Sequence, residues 1–128
     1  MRIFKNKWFQ RYARKQGLRD QDLCHAIVEM TNGLSDASYG GHLFKKRIAR
    51  PGSGKSGGHR AIIAMVFADK AFFMFAFEKS DKDNLSEDEV RTYKELAKDY
   101  LGLTQNQLDL AVSRGILFEV ICDGKENL

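Results

Sequence analysis

The pattern of hydrophobic and polar positions changes period several times along the 128 residues, and each change marks an element. Residues 1–4 predict a short strand. From Asn6 to about Gln16, Trp8, Phe9 and Tyr12 fall near helical spacing, and Gly17 supplies a stop. A second helix is expected behind an Asp20 cap, with Leu23, Ala26, Ile27 and Met30 on one face and a stop at Asn32-Gly33. Alternation of Leu43, Lys45 and Arg47 against Phe44, Lys46 and Ile48 then predicts a strand over 43–50. The apolar runs 60–67 and 71–78 predict a hairpin turning at Asp69-Lys70, and their near-continuous apolarity implies that both faces are covered. Ser86 and Glu89 form a capping-box pattern ahead of Val90, Tyr93, Ala97 and Tyr100 at helical spacing. Thr104 and Gln107 open a shorter helix through Leu108, Ala111 and Val112, and 116–121 reads as a last strand. The order β-α-α-β-β-β-α-α-β predicts an α+β fold: a small antiparallel β-sheet with an N-terminal helical hairpin and two later helices.

Register in the hairpin has two solutions. A two-residue turn at Asp69-Lys70 opposes Arg60 to Lys79, whereas a three-residue turn opposes His59 to Lys79 and sends Arg60 to the other face. Two opposed cations cost stability unless an anion lies between them. Both registers stay open at this level.

Composition narrows the class. With 43% hydrophobic and 11% aromatic residues and a single proline, the chain is neither disordered nor fibrous, and its length suits one domain over 1–128. Two cysteines are too few for a disulfide framework and no spacing suggests zinc; Cys24, on the apolar side of the second helix, is expected to be an inert buried thiol. The N-terminal residues lack the apolar run of a signal peptide, and the apolar stretch 61–77 is broken by Asp69 and Lys70, so a cytoplasmic protein without a membrane span is expected.

Charge is distributed in blocks. Residues 1–19 hold seven Lys/Arg and no acid, residues 20–41 four acids and no Lys/Arg, and residues 42–60 six more bases and no acid. Two acid-free blocks in a chain otherwise net negative suggest a polyanion-binding surface, with a solvated lysine face as the plain alternative. The second block contains Arg50-Pro-Gly-Ser-Gly-Lys-Ser-Gly-Gly-His-Arg60. It looks like a phosphate-binding P-loop but has Ala49 where the first glycine belongs, and it leads into a strand, not a helix. Arg50, Lys55, His59 and Arg60 interleaved with four glycines nonetheless bring cations and backbone N–H groups within reach of a phosphate. His59, next to Arg60 on a strand, points to the opposite face.

The string from Lys45-Lys46-Arg47 through Arg50-Pro51-Gly52, Gly54-Lys55-Ser56-Gly57-Gly58 and Arg60 resembles the RelE/ParE superfamily of toxins from type II toxin–antitoxin systems, and within it the HigB-related branch. Phe75-Ala76-Phe77, Lys79, Asp83-Asn84 and Glu89 continue the match, and Trp8-Phe9 and Gly40-Gly41 extend it over nearly the whole chain. The resemblance implies a RelE-like fold and a ribosome-dependent, metal-independent mRNA endonuclease without cofactor. Such an enzyme drives a ribose 2′-OH onto the adjacent phosphate, leaving a 2′,3′-cyclic phosphate and a 5′-OH. The reaction needs a base, a cationic clamp on the phosphorane and an acid for the leaving oxygen.

By position in the motif, the resemblance assigns Arg60 as transition-state stabiliser, Lys79 as acid or second clamp and Lys55 as a further catalytic candidate. It assigns Arg50, Arg47, Lys46, Lys45 and Lys82 to substrate binding. The sequence departs from some relatives in offering Phe118, not a tyrosine, near its end. Implied partners are mRNA, the ribosome and a cognate antitoxin with a helix-turn-helix domain. The basic helix 5–15 fits ribosomal RNA or an acidic antitoxin segment. A ParE-like gyrase poison and a non-catalytic nucleic-acid-binding module are the rival readings.

Overall fold

The computed structural model describes residues 1–50 and 54–123, with the backbone alone for 54–57. The chain runs β1 (Arg2–Asn6), α1 (Lys7–Gln16), α2 (Asp20–Thr31), β2 (Ala37–Gly40), β3 (Leu43–Arg50), β4 (Gly54–Val66), β5 (Lys70–Glu78), α3 (Glu87–Leu101), α4 (Gln105–Ser113) and β6 (Leu117–Glu119). Six strands form one sheet in the order β2-β3-β4-β5-β1-β6. All neighbours are antiparallel except β1 and β5, which run parallel with Ile3 beside Ala71 and Phe4 beside Phe72. The α+β expectation holds, in its RelE-like form; β2 and the parallel pair are additions to it.

Alternation along the central strands feeds two cores. Ala61, Ile63, Met65 and Phe73 pack with Phe9, Leu23, Ile27 and Met30 of α1 and α2. Ile62, Ala64, Phe72 and Met74 pack with Ala97 of α3 and Leu108 of α4. Burial on both faces explains why residues 61–66 of β4 and 71–77 of β5 are apolar at every position. Tyr100 stacks on Phe72 and Tyr93 on Phe75, with ring centroids 5.1 and 5.2 Å apart, docking α3 on its face of the sheet.

Local chemistry sets the helix ends. Asn6 Oδ1 accepts from Phe9 N (2.8 Å) to cap α1, while Asn6 Nδ2 donates to Met74 O (3.0 Å) across the sheet. Gly17 closes α1 in the left-handed region at φ 73°. Ser86 and Thr104 cap α3 and α4 in capping boxes completed by Glu89 and Gln107. At α2 the cap falls one residue earlier than expected: Asp22 accepts from Arg19 N (2.8 Å), and Asp20 begins the helix.

Neither predicted hairpin register occurs. Val66 pairs with Lys70, so the turn is Phe67-Ala68-Asp69, closed by Asp69 N donating to Val66 O (3.0 Å). A bulge then inserts Met74 between Phe73, opposite Ile63, and Phe75, opposite Ile62. Arg60 consequently faces Phe77 and His59 faces Glu78, and Lys79 lies beyond the paired residues of β5.

A second correction concerns the cysteines. Cys24 is not a free thiol; it forms a disulfide with Cys122, Cα to Cα 5.8 Å, joining α2 to the segment after β6. Among the described residues no helix is long and apolar enough to cross a membrane.

Candidate active site

Antiparallel pairing of β3 with β4 sets Arg47 directly opposite Arg60 and Lys45 opposite Ile62. Cross-strand partners share a face, as do residues two apart on one strand. Lys45, Arg47 and Arg60 therefore project together on the α3 side of the sheet. Lys79, just past β5, joins them, and with Ser35, Asp36 and Asp83 they line a cleft of about 440 Å³. Four of the eight sequence-predicted site residues thus converge.

Arg60 forms the floor: its side chain is only 7% exposed, against 47% for Arg47. Burial pulls its guanidinium pKa down, Asp36 pushes it back up and Arg47 lowers it again. The group stays charged at any physiological pH. Asp36 Oδ1 lies 3.2 Å from Arg47 Nε and Oδ2 lies 3.7 Å from Arg60 Nε. This carboxylate resolves the like-charge opposition of the two arginines. Sequence reasoning gave Asp36 no role. The available signal was its position as the last acid before the second basic block.

Lys45 Nζ reaches Asp83 O and Asn84 Oδ1, each at 3.5 Å, and Asn84 Oδ1 also accepts from the Tyr39 hydroxyl. These contacts hold the connection after β5 against β2 and β3. Lys79 is exposed and makes no hydrogen bond or ion pair among the described residues. Lys82 is engaged elsewhere: its Nζ lies 2.6 and 2.7 Å from the Glu89 carboxylate oxygens and 5.5 Å from the Phe77 ring centroid. That hydrogen bond holds Glu89 below the usual carboxylate range.

Two other candidates, Lys46 and Arg50, lie apart from the cleft. Lys46 has the opposite strand phase; it is buried beneath α2 with Nζ 3.0 Å from Glu29. Arg50 pairs with Glu78 at 2.5 Å, and its charge acts on Tyr12 and His59 on the α1 side. Residues 51–53 and the Lys55 side chain lie outside the described residues. His59 does point away from Arg60. It is fully buried with its Nδ1 2.6 Å from the Tyr12 hydroxyl.

Close strand contact fixes the site's geometry. A Cβ on Gly58 would lie 2.3 Å from Ile48 O and 3.0 Å from Arg50 N, so only glycine lets β4 approach β3 here, two residues before Arg60. The assembled cleft presents buried and exposed guanidinium groups and two ammonium groups to one small volume, with one carboxylate already seated between the guanidiniums. These donors have the charge and hydrogen-bonding geometry that a phosphodiester requires.

No curated protein matches the chain. A family model does, over residues 1–120: the chain belongs to the family of the RelE toxin of the RelE/RelB toxin–antitoxin system.

Proposed function

We propose that this toxin is a ribosome-dependent mRNA endonuclease acting in the cytoplasm, within a single RelE-like domain over residues 1–128. The observation that carries the reading is Arg60: a buried guanidinium at the floor of a cleft walled by Lys45, Arg47 and Lys79. A gyrase poison or a passive binding module has no need of a desolvated cation aimed at one small volume. Charge developing on a phosphorane does need it, because a low-dielectric, pre-positioned donor stabilises that charge far more than a solvated one.

In the reaction a base removes the proton from the ribose 2′-OH, whose oxygen attacks the adjacent phosphorus. The P–O5′ bond breaks, leaving a 2′,3′-cyclic phosphate, and an acid protonates the departing oxygen. Arg60 clamps a non-bridging oxygen, with Arg47 on a second. We assign protonation of the leaving group to Lys79, exposed at the rim and without a described partner, and orientation of the chain to Lys45. Lys55 is the further candidate for base. Lys46 and Arg50 support the fold on the other face. A RelE-family toxin implies an antitoxin partner; we assign it a helix-turn-helix domain and an acidic segment that covers the same cations.

The test is induction of the unmodified chain and of Arg60→Ala in a bacterium, with mapping of mRNA 5′ ends. In-frame cuts from the unmodified chain, reduced about 100-fold or more in the variant, are expected. Growth arrest with intact mRNA and broken DNA would identify a gyrase poison. Normal growth with both nucleic acids intact would leave a binding module.

A further inference from the structure

Arg47 and Arg60 face each other across β3 and β4, an arrangement that repels unless an anion accompanies it. Asp36 supplies that anion from the connection between α2 and β2. Its carboxylate is 16% exposed and places one oxygen 3.2 Å from Arg47 Nε and the other 3.7 Å from Arg60 Nε. The backbone beneath it is fixed, because Asp36 N donates to Lys45 O at 2.9 Å. Asp83, the other acid of the cleft, meets Lys45 through its backbone carbonyl. A carboxylate bridging two guanidiniums with two oxygens has the charge and the geometry of a bound phosphodiester.

We propose that Asp36 is a positioning residue that holds Arg47 and Arg60 together in the free toxin and yields its place between them to an RNA phosphate. The proposal rests on the nuclease reading above and adds a control on it. An arriving phosphate exchanges for a resident carboxylate, so polyanions that cannot engage both arginines gain little. Asp36 thereby lowers the affinity of the cleft for bulk RNA and keeps Arg60 aimed.

The experiment compares the unmodified chain with Asp36→Asn and Asp36→Glu. Binding is read by fluorescence anisotropy on a short single-stranded RNA whose 2′-O-methyl riboses prevent cleavage, across a salt series. Asp36→Asn, which removes the charge and keeps the shape, is expected to bind at least about fivefold tighter at low salt. Its log–log salt slope should steepen by about 0.7, the equivalent of one further neutralised phosphate. Asp36→Glu should restore the slope of the unmodified chain. In cleavage of programmed ribosomes, Asp36→Asn should lower KM and kcat together, as expected where a ground-state competitor and an aiming contact are lost at once.

A folded Asp36→Asn that binds no tighter, with an unchanged slope, would overturn the proposal. Should that variant not fold, the Arg47 and Arg60 Nε–H signals of the ¹⁵N-labelled unmodified chain decide: both must move when the RNA binds, and unmoved signals count against displacement. RNA bound by neither chain also overturns it. Tighter binding by Asp36→Asn beside an unmodified chain that cuts no mRNA would retain the counter-ion and discard the nuclease. In-frame cleavage with no binding difference would do the reverse.

Discussion

Single residues in this protein have their ionisation set by which face of β4 they occupy. Arg60 is buried on one face with Asp36 beside it, whereas its neighbour His59 is buried on the other with the Tyr12 hydroxyl at 2.6 Å. Among the described residues His59 Nε2 is buried with no hydrogen-bond partner. Burial pulls the His59 pKa below its usual value and the Arg50 charge adds to this, with Glu78 opposing. Burial also pushes the Tyr12 hydroxyl up to about 12, so it stays a neutral hydroxyl beside the imidazole. A histidine whose folded pKa lies below its unfolded one takes up its proton preferentially in the unfolded chain. Its neutral form is therefore compatible with full stability above about pH 6.5, and stability is lost as pH falls through and below that value. Urea midpoints at about pH 7.5 and about pH 5 should show this loss, and His59→Gln should shrink the difference. An unchanged difference would remove His59 as its source.

At the scale of elements, the site depends on how closely β3 and β4 approach. The 2.3 Å distance from a Gly58 Cβ to Ile48 O falls on backbone, which can yield only by separating the strands. Gly58→Ala is expected to cost about 1–3 kcal/mol in thermal or chemical unfolding. It should reduce mRNA cleavage by more than the loss of folded protein, because Arg60 lies two residues away. Full cleavage at unchanged stability would show that the strands tolerate the change. The helices were legible in the sequence because their ends carry their own chemistry: Ser86 with Glu89, Thr104 with Gln107 and Gly17 each act within a few residues. β2 was not legible, since four residues ending in glycine display no usable period. Nor was the β4–β5 register. It turns on Ala68 at φ 65°, a conformation unusual for alanine, and on the Met74 bulge, whose carbonyl bonds Asn6 from a strand 68 residues earlier in the chain.

Across the whole molecule, the candidate site was legible as a composition and not as a constellation. The second basic block marked where the charge would gather. The alternation of Lys45 and Arg47 against Lys46 already separated their faces, yet it took the β3–β4 pairing and the Lys46–Glu29 pair under α2 to show which phase faces which core. Asp36 and the Cys24–Cys122 link escaped because each depends on chain segments that no local pattern relates. The disulfide spans 98 residues and is reinforced by Ile121 N donating to Asp20 Oδ2 (3.1 Å) and Val120 N donating to Ile3 O (2.8 Å). In the chain-entropy account, a crosslink closing a loop of roughly 100 residues stabilises the fold by up to about 4–5 kcal/mol. Reduction, or paired Cys24→Ala and Cys122→Ala substitutions, should therefore lower the denaturant midpoint substantially; an unmoved midpoint would show that the link contributes nothing. Cys24 belongs to the core on the α1 and α2 side, whereas the Arg60 cleft opens on the other face. The reduced protein, while folded, should thus cleave at the rate of the oxidised one. On the proposed reading of a toxin that acts on ribosomes in the cytoplasm, where thiols are kept reduced, the reduced form is the one that must cleave.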